Sequence, residues 1–216
     1  MIAQQFSHVR HWVFDLDNTL YHPSARLFDQ IEVRMTQYVM DTLGVDLDRA
    51  NYLRKHYWHT YGTTLAGLMR EHNVDPAPYL THVHEISLDH LEHDAPLAAA
   101  ISALPGRKIV YTNGSAPYAK RVLTARGLSG VFDAVYGVEH ANFHPKPERR
   151  AFETVFSTDG IDTKTGAMFE DDTRNLAAPH EMGMQCVHVA PTPAEPATHI
   201  HHHTDELAEF LQTLLS

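Results

Sequence analysis

The chain has 216 residues, of which 43% are hydrophobic and 20% charged, as in an ordinary folded globular protein. Its formal net charge of −10 argues against a polyanion-binding surface, so we expect no nucleic-acid partner. The first residues lack the basic and apolar regions of a signal peptide, and no apolar run is long enough to cross a bilayer. We therefore expect a soluble, cytoplasmic protein with no membrane partner.

Five short apolar runs are typical of buried strands, at 12–16, 108–112, 131–136, 167–170 and 185–189. They are nearly continuous in apolar residues, which favours a parallel sheet covered on both faces. Helical patterns follow the second to fifth runs, at 116–126, 147–156, 175–182 and 205–215. This alternation predicts an α/β fold, a doubly wound, Rossmann-like parallel sheet of about five strands.

About 90 residues separate the first two predicted strands, more than a simple crossover needs. Helical patterns fill this insert at 27–43, 50–57, 65–71 and 76–84, and a helix at 95–103 leads back into the sheet. We predict two domains. Residues 1–21 and 94–216 form the α/β core, and residues 22–93 form an inserted all-helical cap.

Two carboxylates, Asp15 and Asp17, follow the first predicted strand in the run Phe14-Asp15-Leu16-Asp17-Asn18. Residues i and i+2 of a strand share a face, so both carboxylates are expected in one small volume. Two crowded acids repel each other, and a divalent cation relieves that repulsion. A carboxylate beside a metal can attack phosphorus while its partner transfers a proton.

Two further segments offer groups that bind phosphate. The second strand leads into Thr112-Asn113-Gly114, whose hydroxyl, amide and backbone N–H groups lie ahead of a predicted helix. A plain turn is the simpler interpretation of this segment. Lys146 lies between two prolines, and Pro147 favours an extended backbone at the lysine. Its charge could neutralise a phosphoryl oxygen, although a solvated surface lysine is an equally simple interpretation.

Adjacent acids follow the fourth strand in the run Phe169-Glu170-Asp171-Asp172-Thr173. Acids directly after a buried apolar run are costly unless they cap a helix or bind a cation. Capping by Asp172 or Thr173 is one interpretation, and oxygen ligation of Mg²⁺ by Asp171 and Asp172 is the other.

Two other features carry less chemistry. Cys186 is the single cysteine, and its apolar neighbours indicate a small core residue. The histidines at 199 and 201–203 look like an affinity tag, and we expect them to be exposed and to form no dedicated metal site.

The order of these four segments resembles the four motifs of the haloacid dehalogenase-like hydrolase superfamily over essentially the whole chain. The resemblance implies a nucleophile at Asp15, a general acid/base at Asp17, a phosphate-binding hydroxyl at Thr112 and the basic residue at Lys146. It also implies Mg²⁺ bound by Asp15, by the backbone carbonyl of Asp17, and by the acidic pair Asp171 and Asp172. The second acid of the first motif is absent from the family's dehalogenases, so Asp17 favours phosphoryl chemistry.

The insert after the first motif resembles the C1-type cap, and its segment 57–68 resembles the pyrimidine 5′-nucleotidase branch. That branch implies substrate contacts from Tyr61, Thr63 and Thr64, although plain helix-end packing explains these residues equally well. It also implies phosphate contacts from Thr112, Asn113, Gly114 and Lys146. We expect a Mg²⁺-dependent phosphatase acting on a small phosphorylated metabolite, a nucleoside 5′-monophosphate with a pyrimidine base, and a monomer. The alternatives are another small-metabolite phosphatase, a phosphomutase, or a non-catalytic phosphate-binding protein.

Overall fold

The computed structural model describes residues 2–215, and six strands within them form one parallel sheet. The strands are β1 His11–Phe14, β2 Arg107–Tyr111, β3 Ala134–Tyr136, β4 Gly166–Glu170, β5 Gln185–Val189 and β6 His202–Thr204. Their order across the sheet is β3-β2-β1-β4-β5-β6. The chain therefore builds one half of the sheet outward from β1 and then returns to build the other, which confirms the predicted doubly wound α/β fold.

Side chains of β1 alternate between two apolar cores, one on each face of the sheet. Trp12 and Phe14 belong to one core, where Phe14 stacks on Phe169 of β4 at 4.7 Å between ring centroids. Val13 belongs to the other core, together with Phe152. Trp12, Val13 and Phe14 are each at most 1% exposed, so burial on both faces fixes the register of the central strand.

The described part of the chain also contains ten α-helices. They are α1 Ile2–Phe6, α2 Leu27–Leu43, α3 Leu47–Tyr61, α4 Thr64–His72, α5 Pro76–Val83, α6 Ala95–Ala103, α7 Ala116–Ala125, α8 Arg149–Asp159, α9 Ala177–Met182 and α10 Leu207–Leu215. None of the described helices is both long and apolar enough to span a membrane.

Helices α2 to α5 lie between β1 and β2 in the chain, so the predicted insert is helical. Their ends follow local rules. Gly44 ends α2 with φ +63°, a left-handed conformation that favours glycine, and its N–H bonds the Met40 carbonyl. Asp46 caps α3 by accepting a hydrogen bond from the Arg49 N–H. The boundaries at 22 and 93 stay a prediction of domain organisation.

Several predicted ends differ from the structure. Strand β1 ends at Phe14 rather than at residue 16, because the backbone beyond it turns and Asn18 adopts φ +59°. Helix α8 begins at Arg149 rather than at Pro147, because a turn closes first, with the Glu148 N–H bonded to the Pro145 carbonyl.

The histidine cluster also differs from expectation, because part of it belongs to the sheet. His202 and His203 lie in β6, and the His202 ring packs 5.2 Å from that of Phe6 between centroids. His203 Nε2 lies 2.9 Å from the Ala190 carbonyl. The cluster therefore adds an edge strand, which its polar composition concealed. Cys186 is buried and free, as predicted.

Candidate active site

A cavity of about 480 Å³ opens beyond the carboxyl ends of β1, β2 and β4, with α2, α3 and α5 opposite. This is the edge where the strand order reverses, at which doubly wound sheets bind ligands. All but one of the residues predicted to form the site line this cavity: Asp15, Asp17, Thr63, Thr64, Thr112, Asn113, Gly114, Lys146, Asp171 and Asp172. Tyr61 is not among its lining residues.

Lys146 lies buried between two carboxylates. Its Nζ donates hydrogen bonds of 2.6 Å to Asp15 Oδ1, 2.7 Å to Glu170 Oε2 and 3.1 Å to the Tyr111 carbonyl. Burial alone would lower the pKa of the ammonium group, but the charges of Asp15 and Glu170 outweigh it and raise that pKa. Lys146 is therefore a fixed cation, 1% exposed, rather than a solvated surface lysine.

Asn113 positions Lys146 through its backbone. The Asn113 side chain donates to the Lys146 carbonyl at 3.0 Å and accepts from the Lys146 N–H at 2.8 Å. This reciprocal pair joins the loop after β2 to the loop before α8. The Asn113 side chain thus holds the backbone of Lys146, and a phosphate contact from Asn113 stays a prediction.

Asp15 is 5% exposed, and its N–H still pairs with the Phe169 carbonyl at 2.9 Å, as though β1 continued one residue further. Burial, followed by the charge of Glu170, raises the pKa of the Asp15 carboxyl, and Lys146 acts in the opposite direction. Its Oδ2 receives only a long contact, of 3.4 Å, from Thr19. One carboxylate oxygen is thus held by the cation and the other is available for chemistry.

Two tyrosines hold the second acid. Asp17 Oδ1 accepts hydrogen bonds from Tyr21 at 2.7 Å and from Tyr118 at 2.8 Å. Burial raises the pKa of Asp17, while these two hydrogen bonds act to lower it. Since both phenols bind Oδ1, the carboxyl is fixed in direction and Oδ2 is the oxygen left to exchange a proton.

The hydroxyl of Thr112 is oriented by its own loop. Thr112 Oγ1 accepts a hydrogen bond of 2.9 Å from the Gly114 N–H. The hydroxyl hydrogen is then free to point elsewhere, and the residue lines the cavity while being 1% exposed. The Gly114 N–H, which was predicted to contact phosphate, is satisfied by this bond.

The two acids of the fourth motif have different surroundings. Asp171 Oδ2 accepts from Asn18 at 3.2 Å, and burial, followed by the charge of Glu170, raises the Asp171 pKa. Asp172 instead accepts from the Arg174 N–H at 3.0 Å and pairs with the Arg174 guanidinium at 2.6 Å. Asp172 thus caps the 3₁₀ turn Thr173–Leu176, and its carboxylate is engaged by Arg174.

Asp15, Glu170 and Asp171 each offer a carboxylate oxygen, and these three oxygens lie within 4.8 Å of one another. Such a set suits a hard cation such as Mg²⁺, which prefers oxygen ligands. Glu170 already accepts from Lys146 and from the Asp172 N–H, at 3.1 Å. Asp15 and Asp171 are therefore the two acids best placed to hold a cation.

Of the three predicted substrate residues in the helical insert, two line the cavity and one does not. Thr63 caps α4 by accepting from the Ala66 N–H at 3.1 Å, and Thr64 donates to the Arg54 carbonyl at 3.3 Å. Both line the cavity. Tyr61 instead donates to Glu71, with Arg70 lying 5.1 Å above its ring. Tyr61 is therefore engaged in packing outside the cavity.

Contacts between the helical insert and the α/β part close the cavity. The guanidinium of Arg174 lies 3.6 Å from the ring centroid of Trp58, and Arg70 pairs with Glu148 at 2.7 Å. Gly62 has φ +88°, and a Cβ there would lie 3.1 Å from the Lys146 carbonyl oxygen. A larger residue at 62 would press on the loop that carries the buried lysine.

His84 makes a further contact across this boundary. It stacks on Tyr118 at 4.3 Å between ring centroids, and its Nδ1 lies 3.1 Å from Ser115 Oγ. Burial lowers the His84 pKa to about 4, so the ring is neutral near pH 7. The stack supports one of the tyrosines that hold Asp17.

Sequence reasoning missed Glu170, Tyr21, Tyr118 and Asn18 as functional neighbours. One signal existed for Glu170, since a glutamate at the end of a buried strand requires a cation. No comparable pattern identifies Tyr118, which lies 101 residues from Asp17.

The sheet order and the buried acid–lysine cluster are those of a hydrolase whose chemistry occurs at the switch point of a doubly wound sheet. The family model described as haloacid dehalogenase-like hydrolase matches residues 12–189, and the chain belongs to that family.

Phosphate metabolism protein 8 of Saccharomyces cerevisiae is 27% identical over 187 residues, which cover 79% of this chain. The match spans 58% of the length of that relative. Two solved structures share the fold. CbbY from Rhodobacter sphaeroides in complex with phosphate has a TM-score of 0.65 at 20% identity, over 94% of this chain and 96% of that one. L-2-haloacid dehalogenase from Xanthobacter autotrophicus has a TM-score of 0.59 at 14% identity, over 96% and 99%.

Proposed function

We propose that the chain is a phosphomonoester hydrolase that forms an aspartyl-phosphate at Asp15. The observation that carries the proposal is the Lys146 cation 2.6 Å from the Asp15 carboxylate, at the base of a cavity that Asp17 also lines. A phosphate monoester repels a bare carboxylate, and a fixed buried cation offsets that repulsion. The name of the yeast relative, which refers to phosphate metabolism, agrees with this chemistry.

In the first step an Asp15 oxygen attacks phosphorus, and the bond between phosphorus and the ester oxygen breaks. Asp17 gives its proton to the departing oxygen, and the burial that raises its pKa favours the protonated form. The Thr112 hydroxyl and the Lys146 ammonium hold the phosphoryl group during the transfer. In the second step Asp17 takes a proton from water as the water oxygen attacks phosphorus, which frees Asp15 and phosphate.

Asp15, Asp171 and the backbone carbonyl of Asp17 are the groups that would hold Mg²⁺. When bound, the ion neutralises negative charge on the phosphoryl oxygens. The buried carboxylates would then be compensated from two sides, by Lys146 and by the metal.

We also propose that residues 22–93 act as a C1-type cap and that the substrate is a nucleoside 5′-monophosphate with a pyrimidine base. Segment 57–68 and its likeness to the pyrimidine 5′-nucleotidase branch support this substrate. The cavity of about 480 Å³ is within the size range of small-molecule sites. Contacts such as Arg174 on Trp58 would exclude bulk water during the reaction.

A dehalogenase with the same fold is the competing function, and Asp17 argues against it. Carbon–halogen cleavage releases a halide, which needs no proton, so the first step of that reaction gives a protonated Asp17 no role. A phosphomutase would use the same residues but return the phosphoryl group to a second substrate.

A screen for released phosphate tests the proposal. The purified chain with Mg²⁺ is assayed on nucleoside monophosphates, sugar phosphates and other small phosphoesters, with Asp15→Asn as the blank. Release from nucleoside 5′-monophosphates above the blank is expected. Release from sugar phosphates alone would support phosphatase activity but overturn the proposal that the substrate is a nucleotide. No release from any ester would overturn both.

A further inference from the structure

Two polar side chains lie buried in the helical wall of the cavity, opposite the acids. Arg54 of α3 is 9% exposed and Tyr79 of α5 is 2% exposed, and both line the cavity that contains Asp15. Neither residue takes part in the proposed chemistry.

Both side chains carry buried polar atoms that are poorly satisfied within residues 2–215. Arg54 Nε makes no hydrogen bond there, and the Tyr79 hydroxyl has at best a weak contact with the Thr64 side chain. The Arg54 guanidinium has one ion pair, to Glu32 Oε1 at 3.4 Å, and the Glu32 side chain is 50% exposed. Buried donors without partners are costly, so the pair is suited to a ligand that brings an acceptor.

The surroundings favour an uncharged acceptor. Glu32 already offsets the charge of Arg54, and a second phosphate at this place would lie beside that carboxylate. Ile31, Leu65 and Leu80 line the same cavity and offer apolar surface to a flat ring. A carbonyl oxygen on a planar heterocycle meets both requirements, since it accepts hydrogen bonds and carries no net charge.

We infer that Arg54, together with Tyr79, binds a carbonyl oxygen on the base of the nucleotide. This inference rests on the proposed function and adds a specificity-determining residue to it. Uracil and cytosine carry such an oxygen, whereas adenine carries none. The site would therefore select pyrimidine nucleotides over AMP, because donors placed to meet a carbonyl oxygen are left unpaired when the base carries no such oxygen.

The experiment compares kcat/KM for UMP, AMP and ribose 5-phosphate in the wild type and in Arg54→Met. Ribose 5-phosphate presents a primary alcohol ester but no base, so it reports on the acids alone. Arg54→Met should lower the ratio of kcat/KM for UMP to that for ribose 5-phosphate by about tenfold or more. The ratio for AMP to ribose 5-phosphate should change little.

Glu32→Gln is the matched control, since it breaks the same ion pair but keeps the guanidinium. It should keep the UMP ratio or raise it. If Glu32→Gln reproduced the loss, the ion pair alone would explain Arg54, and the inference would be overturned. An unchanged UMP ratio in Arg54→Met would overturn it as well.

Two checks separate this inference from folding and from the proposed function. Arg54→Lys keeps the charge and the aliphatic stem, and it replaces Arg54→Met if that variant fails to fold. It should likewise lower the ratio of kcat/KM for UMP to that for ribose 5-phosphate. Wild-type protein that releases phosphate from no nucleotide would overturn the proposed substrate and this inference together. Wild-type activity on UMP that Arg54→Met and Arg54→Lys both retain would overturn the inference alone.

Discussion

Nζ of Lys146 lies 2.6 Å from Oδ1 of Asp15, and both side chains are almost fully buried. The same nitrogen lies 2.7 Å from Oε2 of Glu170. One cation therefore compensates two carboxylates, and the proposed nucleophile is already paired before a phosphate enters the cavity. This arrangement accounts for the burial of a lysine that lies between two prolines.

Lys146→Met should impair both stability and turnover. It leaves Asp15 and Glu170 buried without a cation, and breaking a buried pair costs about 3–5 kcal/mol of unfolding free energy. Urea unfolding at pH 7 measures that loss, and phosphate release should fall about 1,000-fold. Lys108→Met is the control. This lysine bonds carbonyls near the start of β2, at 3.2 and 2.9 Å, and its removal should leave turnover intact. Equal effects of the two changes would contradict the assignment.

Asp171→Asn and Asp172→Asn should differ in metal binding. Asp171 belongs to the cluster with Asp15, whereas Asp172 is paired with Arg174. Asp171→Asn should weaken Mg²⁺ binding by about 100-fold or more, and Asp172→Asn by less than about tenfold. Isothermal titration calorimetry measures both affinities. The reverse ranking would show that Asp172 is the ligand, as the family motif alone allows.

Mg²⁺ affinity should rise with pH above about 4, the ordinary carboxyl value. Burial, with Glu170, raises the pKa of Asp15 and of Asp171, so the folded chain retains protons there that Mg²⁺ must displace. The free energy of unfolding changes with pH in the opposite direction. Without metal, the folded state binds more protons than the unfolded state, so stability falls as pH rises through this range. Titrations at pH 6, 7 and 8 in buffers of different ionisation enthalpy count the released protons. An affinity independent of pH would contradict this prediction.

Tyr118→Phe should slow the proton transfer more than substrate binding. The hydroxyl donates 2.8 Å to Asp17 Oδ1, and without it the carboxyl is less firmly directed at the ester oxygen. We expect kcat for an alkyl phosphate to fall about tenfold with little change in KM. Single-turnover release of p-nitrophenolate, which leaves without a proton, should change less.

The matched control is Tyr136→Phe, which removes a tyrosine–aspartate hydrogen bond of 2.7 Å to Asp159 on α8. It should leave the kcat for both esters unchanged. If Tyr118→Phe slowed both esters equally, the tyrosine would have a structural role only.

The sequence predicted the strands and helices that are marked by a local pattern of apolar residues. Apolar runs located the first five strands, and the helical pattern at 27–43 coincides with α2. The edge strand at His202–Thr204 was not predicted, because its three polar residues form no apolar run. The first strand was predicted too long, since Leu16 is apolar and buried yet lies beyond the end of β1, where a turn begins.

For the candidate site too, the sequence predicted the main residues but not the contacts that support them. Motif spacing predicted four site residues, and the structure brings all of them to one cavity: Asp15, Asp17, Thr112 and Lys146. Their supporting contacts depend on pairs far apart in sequence, such as Tyr118 with Asp17, which local patterns do not encode. The placement of Asp172 depends on its neighbour Arg174, which also contacts Trp58, 116 residues away in sequence.

The central claim, a phosphoryl group carried by Asp15, is tested most directly in Asp17→Asn with ³²P-labelled p-nitrophenyl phosphate. This ester needs no acid to leave, so the first step proceeds, whereas the second step lacks its base. We expect labelled protein to accumulate, and we expect the label to be released by hydroxylamine and to map to the peptide containing Asp15. Label on another residue, or label retained by the double change Asp15→Asn and Asp17→Asn, would contradict it.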